Sequence, residues 1–124
     1  MKKIIVFGAT GNLGSYFIEH LLENLDLKKY EIIATGRRPK EKSGITKVKY
    51  AQVDITSKDD FKNLPQKDVY AVVDFAGALP AYVNYADEDY INININGTLN
   101  ILNYCRKSGA DRIAYTQTWA DMNG

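Results

Sequence analysis

Cysteine is nearly absent: Cys105 stands alone among 124 residues, so no internal disulfide can close and no cysteine-based metal-ligand spacing exists. Neither a disulfide-stapled framework nor a metal site is expected. A surplus of either charge is missing too. Sixteen Lys and Arg against fifteen Asp and Glu leave a formal net charge of +1, which argues against nucleic acid or an anionic membrane surface as a partner. No run approaches the ~18 consecutive apolar residues that a membrane span needs. Lys2 and Lys3 ahead of an apolar run mimic the start of a signal peptide, but the run is short and breaks into glycines, so a cytoplasmic location is expected. Internal repeats, low-complexity tracts and linkers are also lacking. That leaves one domain with room for a real core, burying roughly two-thirds of the surface of the unfolded chain. For a complete enzyme the length is small.

What is present is organised around the first fourteen residues. Lys3-Ile4-Ile5-Val6-Phe7 is a continuous apolar, β-branched run of the kind found in fully buried parallel strands, and it stops at Gly8-Ala9-Thr10-Gly11-Asn12-Leu13-Gly14. An amphipathic pattern takes over at once, with Leu13, Phe17, Ile18, Leu21, Leu22 and Leu25 on one helical stripe. The glycines thus fall at a strand-to-helix corner. Gly8 can supply the sharp turn, Gly11 can let backbone approach a pyrophosphate with no Cβ between, and Gly14 can let the helix pack closely on the strand. The amino end of the helix offers unpaired N–H groups to the phosphates. The plainer alternative is a glycine-rich turn that only joins strand to helix.

Glu31-Ile32-Ile33-Ala34-Thr35 reads as a second strand, ending at Gly36 and followed directly by Arg37 and Arg38. In a doubly wound fold this strand end points at the adenosine ribose, where an acid binds a 2′-hydroxyl and an arginine accepts a 2′-phosphate. No acid is available here, and two guanidinium forks suit a phosphate. Read plainly, both are solvated loop charges. Residues 40–46 read as a loop, and the alternating stretch 47–53 as a third strand ending at Asp54-Ile55. Asp54 can accept from the adenine amine with Ile55 flanking the ring, or it can be a turn or cap residue before a short helix through Leu64. The fourth strand runs from Asp68 to Phe75 and is broken by Ala76-Gly77-Ala78, small residues on the same edge as Gly8 where a cofactor can lie against backbone. A plain turn is the alternative there.

Tyr90 to Asn96 alternates perfectly, which by periodicity alone predicts a strand. A helix is favoured instead. Ile91, Ile95, Leu99 and Leu102 continue one stripe past the alternation, and Asp87-Glu88-Asp89 suits a helix start. Gly97 inside it hints at close packing or a functional kink, and the helix should end near Arg106-Lys107-Ser108-Gly109. Residues 111–116 form the fifth strand. The whole is one β/α alternation, an α/β class with a parallel sheet and helices on both faces.

The chain resembles the amino-terminal part of an extended short-chain dehydrogenase/reductase, the NAD(P)-dependent epimerase/dehydratase family, along its whole length. The matching residues are Gly8 to Gly14, Asp54-Ile55, Phe75-Ala76-Gly77-Ala78, the run Asn94-Ile95-Asn96-Gly97-Thr98-Leu99-Asn100, and residues 113–118. The Asn94 to Asn100 run decides the helix reading. The resemblance implies a Rossmann-like doubly wound sheet, five of whose strands are present and whose C-terminal part is missing. It implies a dinucleotide held by Gly8, Thr10, Gly11, Asn12, Leu13, Gly14, Arg37, Arg38, Asp54, Ile55, Phe75, Ala76 and Gly77, with NADP expected ahead of NAD. It also implies that Thr118, with Thr116 as fallback, binds the reacting oxygen and that Asn94 serves a proton relay. Gln117 stands where a second small hydroxyl residue is usual.

The family's general acid/base is a tyrosine with a lysine four residues on, and none of the nine tyrosines here has one. Residues 1–124 are therefore expected to be the NAD(P)-binding portion of a longer oxidoreductase, epimerase or dehydratase. Its substrate would carry a hydroxyl or carbonyl, with a nucleotide sugar one option. The competing readings are a non-catalytic dinucleotide-binding sensor or scaffold, and a fold that only mediates protein contacts. A homodimer is compatible with the first.

Overall fold

The apolar run near the amino terminus forms β1 (Lys2–Phe7), central to a computed structural model that describes residues 1–76 and 87–116. Its alternate side chains serve two cores. Ile4 and Val6 meet Ile18 of α1 (Asn12–Asn24) and Ile32 and Ala34 of β2 (Tyr30–Gly36) on one face. Ile5 and Phe7 face the other way, toward Phe61, Ile101, Tyr104 and Val72 of β4 (Val69–Asp74). Burial on both faces is why this strand reads as continuous hydrophobicity rather than alternation.

With β3 (Lys49–Gln52) and β5 (Ile113–Tyr115) the strands make a fully parallel sheet in the order β3-β2-β1-β4-β5. This is the Rossmann-like arrangement. The chain steps outward from β1 to β2 and β3, then crosses back to set β4 on the other side of β1. Strand order reverses between β1 and β4, and such a switch point leaves a crevice at the carboxyl ends of the strands.

The long helical segment departs from the pattern that foretold it. Its backbone is helical from Asp87 to Ser108, as α3 (Asp87–Ile91), a π turn (Asn92–Asn96) and α4 (Gly97–Ser108), closed by Gly109 at φ +81°. The helix reading over the alternating stretch holds, but the apolar stripe faces outward: Ile91, Ile95, Leu99 and Leu102 are 51, 55, 52 and 44% exposed. The buried face carries Gly97, Asn100, Ile101, Tyr104 and Cys105. Hydrogen bonding chose that face. Asn100 donates to the Ile55 carbonyl at 2.8 Å and Tyr104 to the Pro65 carbonyl at 2.6 Å, so both polar groups are satisfied inside.

Two smaller differences have local causes. Leu13, placed on the buried stripe of α1 by its spacing, is 63% exposed, because it sits in the first turn above the glycine corner and past the end of β1. The stretch read as a loop after Pro39 contains α2 (Lys40–Ser43), tied by Ser43 Oγ to the Lys40 carbonyl at 2.7 Å and stopped by Gly44 at φ +76°. Among the described residues no helix is long and apolar enough to cross a membrane.

Candidate functional site

The crevice is floored by the corner between β1 and α1. Gly8 takes φ +72°, and a Cβ there would come within 2.6 Å of both Ala76 N and Phe75 C, so the ends of β1 and β4 touch only because this residue has no side chain. Gly14 is closed in the same way, its missing Cβ falling on the Gly8 carbonyl and 2.8 Å from Ala9 Cα. Gly11 differs. A Cβ there meets only the Gly8 oxygen, at 3.6 Å, so the space before it is open.

Gly11 is also the N-cap of α1 (φ −80°, ψ 173°), and it offers no side-chain hydrogen bond. No acid stands in the first turn. The positive end of the helix and its leading N–H groups are thus left for an anion. Ser15 steadies the corner from inside the helix, donating through Oγ to the Gly11 carbonyl at 2.7 Å and the Ala9 carbonyl at 3.2 Å.

A cleft of about 210 Å³ opens over this corner. Gly8, Thr10 and Gly11 line it from the turn after β1, Thr35, Gly36 and Arg37 from the end of β2 and just beyond, and Phe75 and Ala76 from the stretch after β4. Val53, Asp54 and Ile55, just after β3, and Ile93 of the π turn complete it. A larger depression, about 750 Å³ around Tyr30, Tyr70 and Arg112, lies at the amino-terminal edge of the sheet. Ligands of open parallel sheets bind at the carboxyl edge, so the smaller cleft is the candidate site.

Beneath Ala76 lies Asp74, 5% exposed. Burial pushes its pKa up to about 6, and the Ala76 N–H, which Oδ1 accepts at 2.8 Å, holds back part of that rise.

The model of the NAD dependent epimerase/dehydratase family matches residues 4–123. The chain belongs to that family. A putative UDP-glucose 4-epimerase of Methanocaldococcus jannaschii is 30% identical to it over 124 residues, covering 98% of this chain and 39% of its own length. Anthocyanidin reductase of Arabidopsis thaliana is 31% identical over 136 residues, covering 98% of this chain and 37% of its own. Among solved structures, a mutant uronate dehydrogenase from Agrobacterium tumefaciens complexed with NAD matches at a TM-score of 0.74 and 21% identity, over 95% of this chain and 41% of that one. The chain spans between 37% and 41% of the length of these relatives.

A nicotinamide dinucleotide is the cofactor class of the epimerase/dehydratase family, and the residues present fit its diphosphate: an uncapped helix end above a cradle that a Cβ at Gly11 would fill. Of the residues singled out from sequence, the cleft brings together Gly8, Thr10, Gly11, Arg37, Asp54, Ile55, Phe75 and Ala76. Asn12, Leu13, Gly14 and Arg38 are not among its walls: Asn12 opens α1, Gly14 is sealed against Gly8 and Ala9, and Arg38 is exposed in the turn after β2. Asn94 is exposed in the π turn, where its carbonyl accepts from Thr98 Oγ1 at 2.8 Å. Gly77 and Thr118 lie outside the described residues. Asp54 spends Oδ1 on a turn, accepting from the N–H and hydroxyl of Thr56 at 2.9 and 2.7 Å, while lying on the cleft wall.

Thr35, Gly36, Val53 and Ile93 line the cleft without having been singled out. Thr35 carried a signal, as a polar residue directly after the apolar run Ile32 to Ala34 at the carboxyl end of its strand. Ile93 carried one as well, standing four and eight residues before Gly97 and Ile101 of the buried helix face.

Proposed function

We propose that residues 1–124 are the cofactor-binding portion of a longer NADP-dependent oxidoreductase, epimerase or dehydratase acting on a hydroxyl or carbonyl substrate, a nucleotide sugar being one such class. The observation that carries this is the glycine corner, where the open space before Gly11 faces an uncapped helix end at the β1–β4 switch point. The similarity to a putative UDP-glucose 4-epimerase supports the substrate class. In this reading Gly8 and Gly11 shape the diphosphate seat, Ile55 and Val53 flank the adenine, and Asp54 faces its amine. The bound group supplies hydride transfer. Thr118 hydrogen-bonds the reacting oxygen and Asn94 passes a proton, while the acid/base tyrosine and lysine belong to the remainder of the enzyme. A cytoplasmic location is part of the reading, supported by the single cysteine.

The preference for NADP rests on Arg37, which reaches the cleft at the end of β2, where that strand end carries no acid to take a ribose hydroxyl, and on Arg38 beside it. Hydrogen bonds to charged groups contribute about 1.5–3 kcal/mol, so calorimetry should find NADP bound roughly 10–100-fold more tightly than NAD. Arg37→Ala should remove most of that ratio. Equal affinities in the wild type would make both arginines ordinary solvated charges.

A homodimer is also part of the proposal, supported by the outward stripe of Ile91, Ile95, Leu99 and Leu102. Sedimentation velocity of the chain should show association that grows with concentration. Charging the stripe, as Ile95→Lys with Leu99→Lys, should leave a monomer; an unchanged profile would place the contact elsewhere.

A further inference from the structure

We propose that Tyr50 and Gln52 of β3 are positioning residues that select the cofactor by fixing the Arg37–Arg38 turn; the inference rests on the NADP reading above. Tyr50 donates its hydroxyl to the Arg38 carbonyl at 2.6 Å, and Gln52 donates Nε2 to the Arg37 carbonyl at 3.0 Å. Residues two apart on a strand share a face, so one side of β3 holds the carbonyls of two consecutive residues. That fixes the planes of the two peptides that carry the guanidiniums forward.

The approach is possible only because of Gly36. A Cβ there would come 2.8 Å from the Tyr50 hydroxyl and 3.1 Å from Thr10 Cγ2, so Tyr50 and Thr10 of the glycine corner both close on the space beside Gly36. The ladder continues to this point, with Gly36 opposite Gln52 in register and the Val53 N–H donating to the Gly36 carbonyl at 2.9 Å. Pro39, at φ −57°, stiffens the exit from the turn. Burial raises the pKa of the Tyr50 phenol more than the Arg38 charge lowers it, so the hydroxyl remains a donor at neutral pH.

Both guanidiniums, by contrast, are left to a ligand. Arg37 and Arg38 are exposed and form no ion pair among the described residues. A flexible cation discriminates poorly, because the entropy lost on ordering it offsets the new hydrogen bonds; a turn ordered beforehand avoids that loss. The two β3 side chains therefore act through the arginines and touch no phosphate themselves.

Tyr50→Phe removes one hydroxyl and Gln52→Met one amide, and neither changes side-chain volume much. The test titrates NADP and NAD separately into the wild type, each variant and the double variant, with Arg37→Ala added to each background. We expect the double variant to lose about fivefold or more in the NADP-to-NAD affinity ratio, with NAD affinity within about twofold of wild type. Adding Arg37→Ala to it should lower the ratio by much less than in the wild type, a coupling that a merely structural role would not produce. Backbone ¹⁵N relaxation at Arg37 and Arg38 of the unliganded chain should show the turn loosening. An NADP preference that survives the double substitution overturns this proposal alone. Equal affinities in the wild type overturn the NADP reading and the selection role together.

Discussion

Gly14→Ala is expected to cost the fold about 3 kcal/mol, lowering Tm by about 10 °C, although alanine is the better helix former by about 1 kcal/mol. The methyl would fall on the Gly8 carbonyl and the Ala9 Cα, and neither backbone atom can swing aside as a side chain would. Relief requires sliding α1 off β1, which opens the packing of Ile18 against Ile4 and Val6. Three residues earlier the same change should do the opposite. At Gly11 the added methyl meets only ordinary contact, so Gly11→Ala should melt within a few degrees of wild type while binding dinucleotide about tenfold or more weakly. Thermal melts and calorimetry on both variants check the pair. A Gly14→Ala protein as stable as wild type would refute the close corner, and a Gly11→Ala protein with undiminished affinity would move the diphosphate elsewhere.

The second large effect is electrostatic. A pKa of about 6 for Asp74 in the folded chain lies above the ordinary aspartate value of about 3.9 in the unfolded one, so the native state binds this proton more tightly. Stability from this group is therefore fully present below about pH 4 and is lost as pH rises through 6. The span of the loss is about 2–3 kcal/mol. Asp74→Asn keeps an oxygen to accept the Ala76 N–H and carries no charge. It should exceed the wild type by about 2 kcal/mol at pH 8 and match it near pH 4. Urea unfolding at the two pH values measures this. Parallel pH profiles for the two proteins would show that the carboxyl does not titrate between them.

The strands and the glycine corner were legible because each rests on local chemistry. A doubly buried strand must be apolar throughout, as Ile4 to Phe7 are, and a backbone folded against backbone must be glycine, as at Gly8 and Gly14. The long helix marks the limit of that reasoning. Its most apolar stripe, from Ile91 to Leu102, faces out, while Asn100 and Tyr104 are inside because partners from distant segments, Ile55 and Pro65, wait for them. Sequence periodicity counts hydrophobicity and cannot count partners. Asp74 escaped notice for a related reason: an acid at a strand end reads as solvent-facing until the turn at Ala76 and the helix bearing Cys105 are set over it. Arg37 and Arg38 were conspicuous, yet the hold of Tyr50 and Gln52 on their carbonyls depends on a strand register that no local pattern records.

The strand order has a bearing on how the molecule comes into being. As the chain leaves a ribosome, β1, α1, β2 and β3 emerge early and can pair, but β1 meets its other neighbour only when Ala71 and Val72 arrive to lie beside Ile4 and Ile5. Until then one edge of the central strand stays open, and the core around Ile5 and Phe7 lacks Val72 and Ile101. Joining segments so distant in sequence is the slow part of forming such a sheet, and the waiting edge is the species most exposed to mispairing. The crevice between β1 and β4 has no existence before that docking. Nucleotide can recognise the crevice only once β4 has docked on β1, so a ligand that captures it also withdraws molecules from the pool at risk of aggregation.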